Sequence, residues 1–526
     1  MTERFEVAVI GSGFAGSLAA RILATLGVSV VLVERNTHPR FAIGESSTPL
    51  AALSLERIAR GYGLEDCHHL ATHGRWINRY PALQRGLKRG FTFYRHHPGV
   101  PFENQGIASE RLLVAASPND AVADTHWLRA DVDHHFVREA VRAGVDYRDQ
   151  TEVTRVECTD ASVNLTTVRN EAQHDIRVGF VIDASGPRGC LATHLPIPSD
   201  LARVQTWSSL VFGHFAGVRT FAEVVPGLPV GPYPDDWAAV HHVLDEGWMY
   251  SLRFDDGLTS AGFALNQTAH ASLDPALLAD PPRLWQSMMH RYPTIAAAFG
   301  DATATAGPWV QPRMQHRLAQ AAGPRWALLP HAFAFVDPLF STGMAWSLRA
   351  VERLASMFAE RTPSGSPTAD ALARYDQLLG READQIDRLV AAADASMSQF
   401  DLFAAHAMLY FATVSFAEVA ERLTLPGTGP WSGFLGAGSD AEGLFTESLA
   451  RLQHLAEPSR EQRAEFVQWV GDAIRPRNIA GLADPTRHNL YPVDLDVLLE
   501  RHELLGMSRA DLESALPALR GAGESP

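Results

Sequence analysis

The chain has 526 residues, a formal net charge of −15, and hydrophobic and charged fractions of 46% and 20%, which are ordinary for a soluble globular protein. Because a single core rarely grows past about 300 residues, this length predicts two or three lobes. The acidic balance excludes most nucleic-acid-binding classes, which carry a basic surplus, and the three scattered cysteines exclude a disulfide framework.

The first fifty residues predict a dinucleotide-binding βαβ unit. An apolar run at 7–10 leads into Gly11-Ser12-Gly13-Phe14-Ala15-Gly16, an alanine-rich helix follows, and a second apolar run at 28–33 stops at Glu34. Gly11 permits the tight strand-to-helix turn, Gly13 lets the backbone approach a pyrophosphate, and Gly16 lets the helix pack closely on the strand. A carboxylate at Glu34 suits the hydroxyls of a ribose. The order of these parts disfavours the alternative, a glycine-rich turn in some other α/β protein.

The rest of the chain predicts further helices and strands. Apolar periodicity predicts helices over 50–75, 128–143, 283–299 and 344–360, and short apolar or aromatic runs predict strands over 90–94, 180–182 and 326–329. We therefore expect a cofactor-binding domain with part of the substrate region over 1–200, a substrate-binding sheet lobe over 201–305, a return to the cofactor-binding domain over 306–365, and a helical C-terminal domain over 366–526.

Three further segments narrow the prediction to one family. They are Pro39-Arg40-Phe41-Ala42-Ile43-Gly44-Glu45-Ser46-Ser47-Thr48-Pro49, Gly86-Leu87-Lys88-Arg89-Gly90-Phe91-Thr92-Phe93 and Phe335-Val336-Asp337-Pro338-Leu339-Phe340-Ser341-Thr342-Gly343. Together with residues 11–16 and 183–186, they resemble the FAD-dependent halogenases over most of residues 5–360. The resemblance implies an α/β fold: a Rossmann-type FAD-binding domain of the glutathione-reductase and aromatic-hydroxylase type, an inserted β-sheet substrate domain and a helical C-terminal region.

The resemblance also implies how FAD is held. An aspartate at the position of Asp337 hydrogen-bonds the ribityl chain, and the following helix directs its N-terminus, with its partial positive charge, at the isoalloxazine ring. The halide sits at the pair matching Thr342 and Gly343, although amides at a helix N-terminus also serve as a generic FAD contact in hydroxylases. The implied cofactor-binding residues are Gly11, Gly13, Phe14, Ala15, Gly16, Glu34, Arg35, Ile43, Gly44, Glu45, Ser46, Arg129, Asp183, Gly186, Asp337 and Gly343.

Lys88 is the implied catalytic residue. In the family, reduced FAD, O2 and chloride or bromide give hypohalous acid, which a lysine at this position orients, or carries as a haloamine, toward an electron-rich ring. Such a lysine needs a confined, partly desolvated setting in which its pKa can fall. The alternative is an ordinary solvated lysine beside Arg85 and Arg89, because most lysines are exposed.

Two positions depart from the family pattern. Halogenases carry a Trp-x-Trp-x-Ile-Pro segment, whereas here Trp248 and Tyr250 alternate on one face of a strand, either as an aromatic wall or as plain strand core. Members that act on free tryptophan carry a glutamate at the position of Phe340, so we expect a phenol- or pyrrole-like substrate that stabilises its own cation. The predicted substrate pocket comprises Phe91, Phe93, Trp248, Tyr250, Phe340, Phe400 and Phe403.

Three functions remain open from the sequence. The first is a halogenase that receives reduced FAD from a separate NAD(P)H-dependent flavin reductase, since only one dinucleotide fingerprint is present. The second is a flavin-dependent aromatic monooxygenase without halide chemistry. The third is a flavoprotein that docks, or acts on, a protein- or carrier-bound substrate through its helical C-terminal region.

The expected partners are a small aromatic substrate, free or carrier-bound, and the reductase, with no nucleic acid. No metal site is expected, because adjacent histidine pairs such as His96-His97 and His134-His135 do not make the i, i+4 spacing of a zinc helix with its glutamate. No run of eighteen apolar residues was found for a membrane span and no signal peptide, so we expect a cytoplasmic protein. A monomer and a homodimer are both compatible with the sequence.

Overall fold

The computed structural model describes residues 2–102, 110–187, 189–362, 365–455 and 457–519. Its strands, in chain order, are β1 (Glu3–Arg4), β2 (Val7–Ile10), β3 (Val30–Val33), β4 (Arg85–Lys88), β5 (Gly90–Arg95), β6 (Arg111–Ala115), β7 (Asp124–Trp127), β8 (Asp146–Arg148), β9 (Thr151–Cys158), β10 (Val163–Arg169), β11 (Ala172–Val178), β12 (Phe180–Asp183), β13 (Ser208–Ala216), β14 (Ala239–Leu244), β15 (Gly247–Arg253), β16 (Thr259–Asn266), β17 (Thr303–Gln311), β18 (His316–Arg317), β19 (Ala322–Gly323), β20 (Trp326–Leu328), β21 (Ala334–Phe335) and β22 (Leu490–Tyr491).

The α-helices, again in chain order, are α1 (Phe14–Thr25), α2 (Pro49–Tyr62), α3 (Glu65–Leu70), α4 (His73–Arg79), α5 (Arg129–Arg142), α6 (Phe221–Val224), α7 (Gln267–Ala271), α8 (Pro275–Leu278), α9 (Pro281–Arg291), α10 (Pro293–Phe299), α11 (Pro330–Phe333), α12 (Thr342–Ala359), α13 (Ala369–Ser396), α14 (Phe400–Arg422), α15 (Glu442–Gln453), α16 (Arg460–Ile474), α17 (Leu495–Glu500) and α18 (Arg509–Leu519).

The cofactor-binding half is built on a sheet with the order β19-β20-β12-β2-β3-β8. Every residue of the parallel strands β2, β3 and β12 is buried, which is typical of a parallel sheet covered on both faces. Helix α1 packs against α5 and α12 on this sheet. In the register of β2 and β12, Ile10 pairs with Asp183, so the ends of both strands meet at one edge of the sheet.

The substrate lobe is built on a second sheet, of order β17-β13-β16-β15-β14-β5-β6-β22. It takes β5 and β6 from the first two hundred residues, β13 to β17 from residues 208–311, and β22 from the C-terminal region. Strand β17 runs across residue 305, where the sequence analysis placed a boundary. The lobe therefore has contributions from three parts of the chain. A separate sheet, of order β1-β11-β10-β9, flanks the cofactor-binding half.

Two predicted helical stretches are interrupted at identifiable residues. Helix α2 ends at Gly63, whose φ of 68° is left-handed, and α3 and α4 then replace the single stretch expected over 50–75. The stretch expected over 283–299 is divided into α9 and α10 at Tyr292, because the residue before Pro293 is disfavoured in the helical region.

The C-terminal region is helical, as predicted, and α14 is its most buried helix. By length and composition alone, α14 could cross a membrane, which corrects the expectation that no segment reaches that length. About 67% of its apolar window is buried inside the protein, as in the core helix of a globular protein. The three cysteines are unpaired, which agrees with the absence of a disulfide framework.

Candidate functional site

The glycine-rich turn brings α1 into close contact with the ends of β2 and β12. Gly11 has a φ of 98°, and a Cβ atom there would lie 2.5 Å from the carbonyl oxygen of Ala184. A Cβ atom on Gly16 would lie 2.1 Å from the carbonyl oxygen of Gly11. Only glycine fits at these two positions, so the turn and the close packing predicted from the sequence are present.

A cavity of about 440 Å³, here called the first cavity, opens at the N-terminus of α1. It has the size of a ligand pocket and extends between the two large sheets. Of the predicted cofactor-binding residues, those on its walls are Gly13, Phe14, Ala15, Gly16, Ile43, Gly44, Glu45, Ser46, Arg129, Gly186, Asp337 and Gly343. The predicted halide residue Thr342 also lines it. Gly11, Glu34, Arg35 and Asp183 do not line it.

Glu34 stabilises the turn beside the first cavity. Its carboxylate accepts hydrogen bonds of 3.0 Å from both the amide and the hydroxyl of Ser12, and one of 3.3 Å from Arg40. Burial raises the pKa of Glu34, but the Arg40 guanidinium and the amide donors outweigh it and hold the pKa below its usual value. Arg35 is exposed, so its predicted cofactor contact has no counterpart in this cavity.

Asp183 acts on a loop and does not face the first cavity. Its carboxylate accepts hydrogen bonds from the Ser185 amide at 2.9 Å, the Ser185 hydroxyl at 2.6 Å and the Leu191 amide at 2.7 Å. The Asp183 carboxylate is therefore bonded within the protein, and the cofactor contact predicted for Asp183 has no counterpart on the wall of the first cavity. Its donors lie in the following loop, and that loop supplies Ser185 and Gly186 to the cavity wall.

Arg129 joins the glycine turn to the segment after β3. Its guanidinium makes a two-point ion pair with Asp133, at 2.8 Å for each contact, and donates to the carbonyl of Ile43 at 2.8 Å. Asp133 also accepts a hydrogen bond of 3.1 Å from the Phe14 amide at the start of α1. Arg129 is among the residues predicted from the sequence and Asp133 is not, although their four-residue spacing on one helix indicates such a pair.

Asp337 and the N-terminus of α12 form the opposite wall of the first cavity. Asp337 accepts hydrogen bonds from the Ser208 hydroxyl at 2.7 Å and from the Leu339 amide at 3.1 Å, and burial raises its pKa to about 6. Ser341 is left-handed, with a φ of 52°, and makes no side-chain cap for α12. The amides of the first turn are therefore not occupied by a capping side chain.

Trp248 and Tyr250 lie side by side on β15 and line the first cavity, with ring centroids 6.1 Å apart. Both are buried, and among the described residues no group meets hydrogen-bond geometry with Trp248 Nε1 or Tyr250 Oη, although Asp337 and Ser260 respectively lie near them. Buried polar atoms are usually satisfied, so two such atoms on one wall fit a polar ligand in the cavity. With the glycine cradle at α1, this arrangement fits FAD.

Lys88 is buried, with no exposed surface, and it is the only lysine in the sequence. Its ammonium donates a hydrogen bond of 2.5 Å to the carbonyl of Ser47 and lies 4.1 Å from the centroid of the Phe91 ring. Burial lowers its pKa, whereas the nearby Asp124 carboxylate raises it. The alternative of a solvated lysine is therefore wrong. Its uniqueness among 45 cationic side chains was a signal that the sequence analysis did not use.

A smaller cavity of about 150 Å³, here called the second cavity, has Phe91 on its wall. Its walls are mostly apolar and come from β5, β6, α14 and residues 479–498. Thr48, Tyr410 and Phe411 line it, and Glu418 and Asp494 supply carboxylates. The contribution of residues 479–498 was not predicted, since nothing in the local sequence indicates a partner so distant along the chain.

The predicted substrate-pocket residues separate into three groups. Phe91 lines the second cavity, and Trp248 and Tyr250 line the first. Phe93, Phe340, Phe400 and Phe403 line neither cavity. They pack in the core behind the cavities, where the Phe93 ring lies 6.4 Å from Phe340 and 5.4 Å from Phe403. The pocket assignment is corrected for these four, because Phe93 on β5, Phe340 before α12, and Phe400 and Phe403 on α14 are buried and pack against one another.

Comparison with known proteins decides the family. A family model described as tryptophan halogenase matches residues 123–397, which is more than half of the chain. The chain belongs to the tryptophan halogenase family. A second model, described as an FAD binding domain, matches residues 4–226 and covers the glycine turn. This halogenase is therefore an FAD-dependent oxidoreductase, and the predicted halogenase function and FAD cofactor are confirmed.

Two curated relatives and one solved structure illustrate the similarity. The halogenase is 27% identical over 418 residues to the monodechloroaminopyrrolnitrin halogenase PrnC of Pseudomonas fluorescens, covering 78% of this chain and 71% of PrnC. It is 28% identical over 408 residues to the tetracycline 7-halogenase of Kitasatospora aureofaciens, covering 76% and 71%. The crystal structure of halogenase PltM with phloroglucinol and FAD matches at 22% identity and a TM-score of 0.81, covering 92% and 99%. The predicted α/β fold with a helical C-terminal region is thus confirmed.

Proposed function

We propose that this halogenase chlorinates or brominates a small electron-rich aromatic, phenol- or pyrrole-like rather than free tryptophan, with Lys88 as its catalytic residue. The segment 45–48 carries the proposal. Glu45 and Ser46 line the first cavity, Thr48 lines the second, and the carbonyl of Ser47 between them accepts the hydrogen bond of Lys88. A reagent formed in the first cavity would meet Lys88 before a substrate held in the second.

The first cavity is the proposed FAD site. Reduced FAD, when bound, supplies the chemistry that converts O2 and halide into hypohalous acid. The α1 N-terminus would face the pyrophosphate, and Arg129 with Asp133 would hold the turn in place. The amides at Thr342 and Gly343 would hold the halide, because the start of α12 has no side-chain cap that competes for them.

The aromatic wall favours halogenation over direct hydroxylation. Trp248 and Tyr250 form part of the wall of the first cavity, and a substrate held in the separate second cavity would be kept away from the flavin. Direct oxygen transfer needs contact between the reacting atoms, at about 3–3.5 Å. A small diffusible oxidant has no such requirement and can be passed along Lys88. This separation supports the halogenase mechanism through hypohalous acid.

The second cavity supports the proposed substrate class. It is small and mostly apolar. Phe340 packs behind its wall, 4.8 Å from the ring of Tyr410, and offers no carboxylate to stabilise a cationic ring. A phenol or pyrrole supports the cation through its own oxygen or nitrogen. The PltM complex contains phloroglucinol, an electron-rich phenol. The enclosed volume suits a free substrate, and residues 479–498 would act as its cap. We further propose that a separate NAD(P)H-dependent reductase supplies the reduced FAD.

The test is a reaction with FAD, a flavin reductase and chloride or bromide on a panel of phenols and pyrroles, read by mass spectrometry. Lys88→Met should lower the rate of product halogenation by at least about 100-fold. It should still release hypohalous acid, which a soluble β-diketone can trap. Arg89→Met is the matched control, because it removes the neighbouring cation, which pairs with Asp120 at the surface. Oxygenated product without halogen would refute the proposal, and so would full activity of Lys88→Met.

A further inference from the structure

Lys88 and Asp124 lie directly opposite one another in the two-stranded sheet of β4 and β7. Both residues are inside the protein, with exposed fractions of 0% and 4%. Directly opposed residues of an antiparallel pair hold their Cβ atoms about 4.5–5.5 Å apart, so the two side chains share one environment. The ladder therefore places a buried carboxylate beside the proposed catalytic ammonium.

The carboxylate of Asp124 has no evident structural task. Its Oδ2 atom is buried and accepts no hydrogen bond within the part of the chain that is described. In the same part, the hydrogen bond of the Lys88 ammonium goes to the Ser47 carbonyl, and Lys88 and Asp124 interact through space. A buried carboxylate without donors is costly, and its presence calls for an explanation beyond packing.

The other groups around Lys88 carry no competing charge. Burial lowers the pKa of His126 and of His241 to about 3, so both rings are neutral near pH 7. Burial raises the pKa of Asp124 to about 7, and Lys88 acts in the opposite direction. On α14, Glu418 is paired with Arg422 at 2.8 Å, and these two charges oppose each other in their smaller effects on Asp124. Ser47 contributes a carbonyl and Phe91 a ring face. Asp124 is the charged group that acts on Lys88.

We propose that Asp124 is a positioning residue for Lys88: its carboxylate, directly opposite in the ladder, supplies the counter-charge that favours the protonated form of the buried amine. The inference rests on the proposed function of Lys88 and sharpens it. A protonated Lys88 has N–H groups beyond the one given to Ser47 and can donate a hydrogen bond to the oxygen of hypohalous acid. It has no free lone pair with which to form a haloamine. The pairing therefore assigns Lys88 the orienting role.

The protonation state of Lys88 can be measured directly, because it is the only lysine in the sequence. Holoenzyme grown with lysine carrying ¹³C at Cε should give a single lysine NMR signal. The change of its chemical shift with pH gives the pKa of Lys88. In Asp124→Asn this pKa should fall by about one to three, as expected on loss of a nearby opposite charge. Asp124→Glu should restore it. Asp120→Asn, on the exposed loop before β7, should leave it unchanged.

The pH–rate profile of halogenation provides the second measurement. The alkaline limb should move to lower pH in Asp124→Asn by the amount that NMR gives, with KM for the aromatic substrate unchanged. Asp124→Ser serves as a second uncharged variant if the asparagine variant folds poorly. An unchanged pKa of Lys88 in both uncharged variants would overturn the inference. A loss of rate that is the same at every pH, with the alkaline limb of the profile unmoved, would overturn it as well. If the wild-type enzyme yields no halogenated product, the proposed function fails separately, while NMR still decides whether Asp124 controls Lys88.

Discussion

The hydroxyl of Tyr410 donates a hydrogen bond of 2.8 Å to the carbonyl of Phe340. Tyr410 belongs to α14 and lines the second cavity. Phe340 belongs to the loop that carries Asp337 and Ser341 along the first cavity. One buried bond thus links the C-terminal helical region to the loop that precedes the proposed halide site.

Removing this hydroxyl should affect stability and substrate binding together. Tyr410→Phe leaves the Phe340 carbonyl without its donor, which costs about 1–3 kcal/mol of unfolding free energy. Because Tyr410 lines the second cavity, KM for the aromatic substrate should rise as well. Tyr375→Phe is the control, since Tyr375 donates a similar bond of 2.8 Å to Leu328 away from both cavities. An unchanged KM in Tyr410→Phe would argue against a substrate in the second cavity.

Gly16→Ala should abolish tight FAD binding. The added methyl group would lie 2.1 Å from the carbonyl oxygen of Gly11 and 2.8 Å from the Cβ atom of Ala184. Neither the backbone oxygen nor the packed alanine can move aside easily. Flavin fluorescence during titration of the apoenzyme measures the affinity. Gly61→Ala offers a control within α2, where a methyl group meets nothing within 4 Å. That variant should bind FAD normally and gain about 0.5–1 kcal/mol of stability. Normal FAD affinity in Gly16→Ala would contradict the proposed position of the pyrophosphate.

Gly343→Ala should weaken halide use more than FAD binding. A Cβ atom there would lie 2.7 Å from Nε2 of His331, which must shift together with the first turn of α12. We expect KM for chloride to rise about tenfold, equivalent to about 1.4 kcal/mol. Steady-state rates over a chloride series, at saturating FAD and substrate, give this value. A KM for chloride equal to that of the wild type would place the halide elsewhere.

His406 should make the protein less stable in mild acid. Its ring lies between the Ser448 hydroxyl and the Leu389 carbonyl, at 2.8 Å from each, and burial lowers its pKa to about 4. Since the unfolded state binds the proton more readily, the neutral ring contributes stability that is complete above pH 6.5. That stability is lost as the pH falls toward 4, by about 2 kcal/mol at pH 5. Urea unfolding gives the free energy of unfolding at pH 7.5 and at pH 5.0. The loss of this free energy between the two pH values should be smaller for His406→Gln than for the wild type.

The features that sequence analysis predicted well are local ones. The turn at Gly11–Gly16 depends on neighbours within a few residues. Its glycines therefore predicted both the backbone conformation of the turn and the close packing of α1 on the strand. The start of α12 could be predicted for the same reason, because the residues that form it, up to Gly343, follow one another in the sequence. The same holds for the burial of Lys88, whose flanking aromatic strand indicated a confined setting.

The features that escaped prediction depend on contacts between distant segments. The Asp183 carboxylate accepts a hydrogen bond from the Leu191 amide, and the Glu34 carboxylate accepts one from the Ser12 amide. Contrary to expectation, neither carboxylate therefore lines the first cavity. Phe400 and Phe403 have the composition of a pocket wall, but the burial of α14 turns them into the core. The second cavity needs β5, α14 and residues 479–498 together, and no local pattern indicates that these segments meet.

The single buried lysine has a practical consequence for handling this enzyme. Elsewhere in the sequence every cationic side chain apart from histidine is arginine, which does not react with the activated esters used to label proteins or to attach them to supports. Such reagents would find no exposed side-chain amine and would couple at the α-amino group of the chain. The enzyme could therefore be tethered in one orientation, with its reactive amine shielded by the fold.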